Sequence, residues 1–199
     1  MLPLWPYATP GITDELFEGL PGIPMSQKEV RLLLISHLHL KPNAILWDIG
    51  AGTGTIPVEV GLLCPGSQII AVERDGDVAN LIRRNCHRFG VQNVEVVDGI
   101  APDCLQNRLE RPDCICIEGG KPIKELLGAL WVYLKHQGRI VATASNLEIL
   151  YAVSESFSQL QVRNIEIVQS AINRLEKRGY HQSFVSVDPI FILSGEKSD

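Results

Sequence analysis

The chain has 199 residues, of which 45% are hydrophobic and 21% are charged, and its formal net charge is −5. This size and composition are typical of one globular domain with a filled core. No apolar run reaches the roughly 18 residues that a membrane span requires, and the acidic balance without a long basic run argues against a nucleic-acid partner.

The first six residues indicate where the protein is located in the cell, and the cysteines indicate whether it has disulfides or a metal site. The start lacks a positive segment followed by an apolar core, so we expect no secretory signal and a cytoplasmic protein. Five cysteines are an odd number for a disulfide framework. The pair Cys114 and Cys116 has no second pair or nearby histidine at zinc spacing, so we predict no metal site and interpret the cysteines as small hydrophobic residues.

Residues 1–25 are rich in proline and glycine and predict an extended arm rather than a packed element. A helix is predicted next, with Ser26 as its N-cap, Glu29 completing a capping box, and an end near Leu40. Strands and helices then alternate. The predicted strands are 44–49, 68–73, 93–97, 113–117 and 138–143, and the predicted helices are 55–63, 76–88, 103–108, 121–134 and 147–158.

The end of the chain departs from this alternation. Residues 162–168 and 184–193 are predicted strands joined by about fifteen mixed residues, which favours a final hairpin with an antiparallel last strand. Apolar stretches such as 69–72 indicate strands that are covered on both faces. We therefore predict a single α/β domain over 1–199, with a Rossmann-like, mostly parallel sheet and helices on both faces.

The most informative segment follows the first predicted strand and reads Asp48-Ile49-Gly50-Ala51-Gly52-Thr53-Gly54. Its glycines leave no side chains to keep a ligand away from the backbone N–H groups. Glu73 ends the next strand, where a carboxylate can accept both hydroxyls of a ribose. The loop predicts nucleoside binding, with a purely structural turn as the alternative. It resembles the first motif of the S-adenosylmethionine-dependent methyltransferases, which implies that cofactor.

The carboxyl ends of the first four predicted strands are expected to meet at one edge of the sheet. Ligands of open α/β sheets lie beyond the carboxyl ends of the strands, so this edge gathers the glycine loop, Glu73, the turn at 98–102 and the run Glu118-Gly119-Gly120. Asp48 either holds the glycine loop by hydrogen bonds or faces the amino group of the cofactor. In the methyltransferase pattern, backbone and apolar groups hold the adenine, and Ile100 and Ala101 suit that role.

Further segments resemble the decarboxylating precorrin methyltransferases of cobalamin biosynthesis. They are residues 11–17, 24–26 and 29–31, the glycine loop with Glu59, the turn at 99–102, the run at 118–120, residues 138–140 through 147–148, and Arg174 with Gly179. The resemblance extends from about Gly11 to Leu193. It implies C-methylation at carbon-15 of a precorrin, loss of carbon dioxide from the carbon-12 acetate, the seven-stranded methyltransferase sheet, and a homo-oligomer such as a tetramer.

The resemblance also implies site residues. The cofactor contacts are predicted to be Ser26, Gly50, Ala51, Gly52, Thr53, Gly54, Glu73 and Ala101, and the substrate contacts Gly119, Gly120, Arg174, Lys177 and Arg178. The three basic residues suit the carboxylates of the tetrapyrrole, and Arg31 is a further candidate. Ser26 stands where the family usually has threonine, and Glu118 stands where it has an apolar residue. No catalytic residue is predicted.

Two alternatives use the same fold. One is a methyltransferase that acts on RNA or protein, although the Asn/Asp-Pro-Pro-aromatic stretch of base-amino methyltransferases is replaced here by residues 117–120. The other is a non-catalytic cofactor-binding subunit, for which two departures leave room: Glu118, and Gln27, which stands where many members of the family have a basic residue.

Overall fold

Helices and strands alternate along most of the structure, a computed structural model that describes residues 3–120 and 122–198. The helices are α1 (Lys28–Leu38), α2 (Thr55–Leu63), α3 (Gly76–Phe89), α4 (Ile123–Trp131) and α5 (Leu147–Gln159). The strands are β1 (Ile45–Ile49), β2 (Gln68–Glu73), β3 (Val94–Asp98), β4 (Cys114–Ile117), β5 (Arg139–Ala144), β6 (Arg163–Ser170), β7 (Asn173–Arg178), β8 (His181–Ser186) and β9 (Ile190–Glu196). The predicted start of α4, at residue 121, lies outside the described residues.

Seven of these strands form one sheet in the order β3-β2-β1-β4-β5-β9-β6. The first five in sequence pair in parallel, and β9 runs antiparallel between β5 and β6. The predicted seven-stranded sheet with an antiparallel last strand is therefore confirmed. Because the order reverses between β1 and β4, a crevice opens beyond their carboxyl ends.

Helices cover both faces of the sheet because successive side chains of each strand point to opposite faces. Trp47 and Ile49 of β1 pack in the core cluster that includes buried residues of α4 and α5. Leu46 faces the other side and packs with α1 and α2. The helix α3 adds a third cluster around Phe89. Asp48 alternates with Trp47 and so projects toward the α1 and α2 side.

The arm before α1 is packed more closely than predicted. Over residues 3–25 it contains a single 3₁₀ turn, Asp14–Leu16. Ile12 and Phe17 are nevertheless buried against α2 and α3. Their apolar side chains anchor an otherwise irregular segment, which explains why proline and glycine content alone did not reveal the packing.

The predicted cap of α1 is wrong. The helix begins at Lys28 after Gln27, and no side chain caps it. Ser26 instead donates its hydroxyl to Glu118, and Glu29 accepts from Arg174. Tertiary partners therefore take both side chains that would have formed the local capping box.

The predicted helix at 103–108 is also wrong, since only a 3₁₀ turn, Asp103–Leu105, forms there. Leu105 is buried, but Leu109, one helical turn further on, is 97% exposed. Because Leu105 is not followed by a second buried apolar residue on the same helix face, a longer helix would gain little stability from packing.

The predicted strand at 184–193 is two strands. The first part belongs to β8, which pairs with β7 in a separate hairpin, and the second part belongs to β9 of the main sheet. A two-residue turn of Gly179 and Tyr180 joins β7 and β8, with Gly179 at a φ of +63°. Glycine at such a turn is a recognised hairpin signal.

All five cysteines, each within the described residues, have free thiols. Burial raises the pKa of Cys86 to about 11 and that of Cys114 to about 12, which fits a packing role. Within residues 3–120 and 122–198, no helix is long and apolar enough to span a membrane, and no group of three or more metal-ligating side chains occurs.

Candidate functional site

The sheet brings the predicted strand-end motifs to one edge. Ile49 is in register with Val72 and with Ile117, so the residues after β1, β2 and β4 lie side by side. Glu73 is in register with Asp98, which adds the turn after β3. The glycine loop thus lies between Glu73 on one side and Glu118 on the other.

The glycine loop needs its glycines for two different contacts. Gly50, Gly52 and Gly54 all have positive φ angles, at +74°, +53° and +81°. A Cβ on Gly54 would lie 2.8 Å from Cγ2 of Ile82 on α3, and a Cβ on Gly50 would lie 3.4 Å from the backbone nitrogen of Gly119. Gly54 therefore permits helix packing, whereas Gly50 permits the loops after β1 and β4 to meet.

Glu73 organises the other side of the loop. Its Oε2 accepts a hydrogen bond from the Gly52 amide at 3.1 Å, and its Oε1 accepts from the amides of Arg74 and Asp75 at 2.9 and 3.2 Å. The carboxylate is partly exposed and has further lone pairs available. It can hold the loop and still accept from a ligand.

A cavity of about 1040 Å³ opens on the β4 side of the glycine loop. Of the predicted contacts, Ser26, Gly50, Ala51, Gly52, Thr53, Gly119 and Gly120 line it. Gly54, Glu73, Ala101, Arg174 and Lys177 lie outside its lining. Ala101 is half-buried against the core in the turn after β3. The cavity is large enough for a cofactor and part of a second ligand.

Within the described residues, every charged side chain that lines the cavity is acidic. They are Glu118 at the end of β4, Glu148 at the start of α5, and Asp188 before β9. Glu148 and Asp188 are exposed, whereas Glu118 is half-buried and accepts a hydrogen bond from Ser26. A cationic ligand therefore matches the charge of this cavity.

Asp48 lies behind the cavity, in surroundings that are unusual for a carboxyl group. Its side chain is fully buried, and neither oxygen has a hydrogen-bond partner among the described residues. The interpretation that Asp48 holds the loop by hydrogen bonds is therefore wrong. Burial, reinforced by the charge of Glu118, raises its pKa well above the usual range.

Glu118 is the second perturbed carboxyl group. Burial raises its pKa to about 7, while the hydrogen bond from Ser26 and the positive charge of Arg31 act in the opposite direction. Asp48 lies on β1 and Glu118 directly follows the neighbouring strand β4, so their charges interact. A carboxyl group that titrates near neutrality at the wall of a cavity is typical of a functional site. The sequence signal for this functional carboxyl is that Glu118 stands beside the glycine pair, where the family has an apolar residue.

Arg31 does not contact the cavity, so its prediction as a substrate ligand is wrong. It is fully buried, and its guanidinium donates to Glu59 of α2, to Asp14 at 3.2 Å, and to the backbone oxygens of Ser26 at 2.7 Å and of Ile12. These contacts tie the arm to α1 and α2. Arg31 therefore fixes the backbone position of Ser26.

Arg174 and Lys177 lie on the hairpin strand β7. Arg174 donates to Glu29 of α1 and, at 3.0 Å, to Asp14 of the arm. This ion pairing lowers the pKa of Glu29. Lys177 is exposed, and the side chain of Arg178 lies outside the described residues. The hairpin is thus fastened beside the cavity mouth by the same arginine that was predicted to bind substrate.

Comparisons with known proteins agree with this geometry. The sequence model described as "precorrin methyltransferase domain" matches residues 21–197. A Saccharolobus solfataricus protein named probable cobalt-precorrin-6B C(15)-methyltransferase (decarboxylating) is 38% identical over 97% of this chain and 98% of its own length.

Two solved structures are similar over nearly the whole fold. A precorrin-6y C5,15-methyltransferase from Geobacter metallireducens has a TM-score of 0.88 and 30% identity, over 94% of this chain and 98% of that chain. A precorrin 8W decarboxylase from Methanobacterium thermoautotrophicum has a TM-score of 0.84 and 26% identity, over 92% and 98%.

Proposed function

Because the chain belongs to the precorrin methyltransferase family, we propose that it methylates carbon-15 of cobalt-precorrin-6B or its cobalt-free counterpart. In the same proposal it removes the carbon-12 acetate carboxylate as carbon dioxide. The observation that carries the proposal is the meeting of the glycine loop with Gly119 at the mouth of one cavity. This juxtaposition unites the general methyltransferase motif with the more distinctive family motif.

S-adenosylmethionine is the proposed cofactor, and the residues fit it. Glu73 would hold the ribose, the turn at Ala101 the adenine, and the glycine loop with Ser26 and Thr53 the methionine part. The acidic side chains of the cavity wall, Glu118, Glu148 and Asp188, favour a ligand with positive charge. When bound, the cofactor supplies a methyl group that is already activated on a positively charged sulfur.

The protein's own contribution is alignment and exclusion of water. Positioning two reactants supplies roughly 7–11 kcal/mol of barrier reduction in the best cases. The conjugated ring accepts the electrons that decarboxylation releases, so no second cofactor is required as an electron sink. Decarboxylation consumes one proton and methylation of a ring carbon releases one, so the overall reaction needs no external acid.

The substrate contacts proposed are Gly119 and Gly120 in the cavity and Arg174, Lys177 and Arg178 on the hairpin. The hairpin leads directly into Val187 and Asp188 of the cavity wall. Because the described charged lining is acidic, the carboxylates of a tetrapyrrole require cations at the rim rather than inside. Arg174 would have to exchange Glu29 for a substrate carboxylate, whereas Lys177 is exposed.

We also propose a homo-oligomer. The hairpin exposes Leu175, Tyr180 and Phe184, and the edge strand β6 exposes Ile165 and Ile167 on one face. Apolar side chains on an open sheet edge and an adjoining hairpin are typical of an association surface. Analytical ultracentrifugation would give the number of subunits, for which the family resemblance favours four.

Supplying the protein with methyl-labelled S-adenosylmethionine and competing acceptors tests the proposed acceptor. The acceptors are cobalt-precorrin-6B, metal-free precorrin-6B, a transfer-RNA mixture and a cell protein extract. We expect label only in the tetrapyrrole fraction, in keeping with a net charge of −5 that does not favour nucleic acid. Label in RNA or protein alone would favour the alternative acceptors, and cofactor binding without transfer to any acceptor would favour a non-catalytic subunit.

A further inference from the structure

Glu118 occupies the side of the crevice that the nucleoside contacts leave open. The proposed adenosine contacts lie beyond β2 and β3, on one side of β1. The remainder of the cofactor must therefore extend across the glycine loop toward β4, on the other side of the point where strand order reverses. Glu118 follows β4 directly and lines the cavity there.

The groups around Glu118 come from the segment before α1, from α1 and from three strands of the sheet. Ser26 donates to it from the segment before α1, and Arg31 of α1 contributes positive charge. From the sheet, Asp48 of β1 and Cys116 of β4 face the same side, in register with each other. Glu73 at the end of β2 acts on Asp48. Among the described groups, the carboxyls of Asp48 and Glu118 thus disfavour each other's ionisation, and the guanidinium of Arg31 favours the ionisation of Glu118.

Glu118 rather than Asp48 is the group that ionises within this pair. Asp48 is fully buried, and among the described groups that act on its pKa only the weak thiol donor of Cys116 favours the ionised form, while burial, Glu118 and Glu73 oppose it. Glu118 has partial access to the cavity, a hydroxyl donor and a nearby guanidinium. Its pKa of about 7 means that a ligand's charge can decide its state near neutrality.

We propose that Glu118 makes this pocket select the positively charged methyl donor over the neutral product of transfer. S-adenosylmethionine and S-adenosylhomocysteine differ by the methyl group and by one positive charge on sulfur. A carboxylate on the β4 side of the glycine loop stabilises the sulfonium and loses that interaction once the charge is gone. The inference rests on the cofactor assigned under the proposed function, and it assigns a role to a residue that departs from the family pattern.

This role of Glu118 makes the binding of S-adenosylmethionine depend on pH. Binding the cation favours ionised Glu118, so affinity for S-adenosylmethionine rises with pH through the titration of the free protein. For one fully linked proton with a free pKa of about 7, the dissociation constant should fall by up to roughly 25-fold between about pH 5.5 and about pH 7.5. The dissociation constant of S-adenosylhomocysteine should change little over the same interval.

Isothermal titration calorimetry with three ligands tests this on the full-length protein. The ligands are S-adenosylmethionine, S-adenosylhomocysteine and sinefungin, which carries an amine in place of the methyl sulfonium. Sinefungin should follow the sulfonium ligand because it retains the positive charge. Glu118→Gln should abolish the pH dependence that separates the two charged ligands from S-adenosylhomocysteine, with little change for the neutral product. Since the amino acid part of each ligand titrates equally in both proteins, the difference between wild type and variant isolates Glu118.

Glu148→Gln is the matched control, because it removes another acidic group of the same cavity from an exposed position. It should retain the wild-type pH dependence. A pH-independent preference, equal pH dependence for charged and neutral ligands, or an unchanged profile in Glu118→Gln would overturn the role of Glu118 while leaving cofactor binding intact. Failure of all three ligands to bind at every pH would instead overturn the proposed cofactor, and the inference with it.

Discussion

Ser26 donates a hydrogen bond to Glu118, a residue 92 positions further along the chain. The contact joins the arm that precedes α1 to the end of β4. It depends on Arg31, which holds the backbone oxygen of Ser26 at 2.7 Å. The hydroxyl therefore contacts a cavity carboxyl whose pKa is raised to about 7 by burial.

Removing this hydroxyl should move the titration of Glu118. The Ser26 hydrogen bond lowers the pKa of Glu118, so in Ser26→Ala that pKa rises and the ionised form is reached only at higher pH. Affinity for S-adenosylmethionine near pH 7 should fall by about 1 kcal/mol, and its rise with pH should shift in the alkaline direction. Calorimetry across a pH series measures both. Ser26→Thr keeps the hydroxyl and should behave as wild type; an unshifted Ser26→Ala profile would show that the hydrogen bond is irrelevant to the titration.

Glu73 should contribute directly to cofactor affinity. Glu73→Ala removes the proposed ribose acceptor and the partner of the Gly52 amide, and we expect binding to weaken by about 1–3 kcal/mol. Glu73→Gln keeps one acceptor oxygen without the charge and should give a smaller loss. Calorimetric titration with S-adenosylmethionine separates the two variants. Unchanged affinity in Glu73→Ala would contradict the ribose assignment.

Arg174→Ala should raise the KM for the tetrapyrrole far more than it raises the dissociation constant of the cofactor. The guanidinium orients the hairpin through Glu29 and Asp14 and is also the proposed partner of a substrate carboxylate. Steady-state kinetics and cofactor calorimetry on the same preparation give the two values. The double variant Arg174→Ala/Glu29→Gln removes the stranded carboxylate as a control. Equal weakening of substrate and cofactor binding would indicate a folding defect rather than a substrate contact.

Gly54→Ala should destabilise the fold. A Cβ there meets Ile82 at 2.8 Å in a backbone with a φ of +81°, so we expect the free energy of unfolding to fall by about 2–4 kcal/mol. Gly90→Ala is the matched control, because Gly90 has a φ of +72° but nothing within 4 Å of the new Cβ. It should lose only about 1 kcal/mol. Urea denaturation compares them, and equal losses would mean that contact with α3 is not what requires Gly54.

The main sheet could be predicted from the sequence because its signals are local. Apolar runs such as 69–72 mark strands that are buried on both faces, and the glycine loop marks the end of β1. The β7–β8 hairpin was missed because its strands are mostly exposed and carry no clear apolar alternation. Its one usable signal was Gly179 in a two-residue turn.

The sequence predicted which backbone loops form the site, but it did not predict which partners the charged and polar side chains contact. The glycine loop and the glycine pair converge as expected, since both follow parallel strands. The partners of Ser26, Arg31 and Arg174 could not be inferred, because each is set by the packing of the arm or the hairpin against α1. The same long-range packing places Glu118 beside Asp48.

The mass of the tetrapyrrole product shows whether the protein couples methylation to decarboxylation. Cobalt-precorrin-6B is incubated with the protein and S-adenosylmethionine, and the product is analysed by mass spectrometry alongside the released carbon dioxide. We predict that each turnover adds one methyl group and removes one carbon dioxide. A methylated product that keeps its acetate carboxylate, or an unchanged ring with both cobalt-containing and cobalt-free substrate despite cofactor binding, would contradict the proposed function.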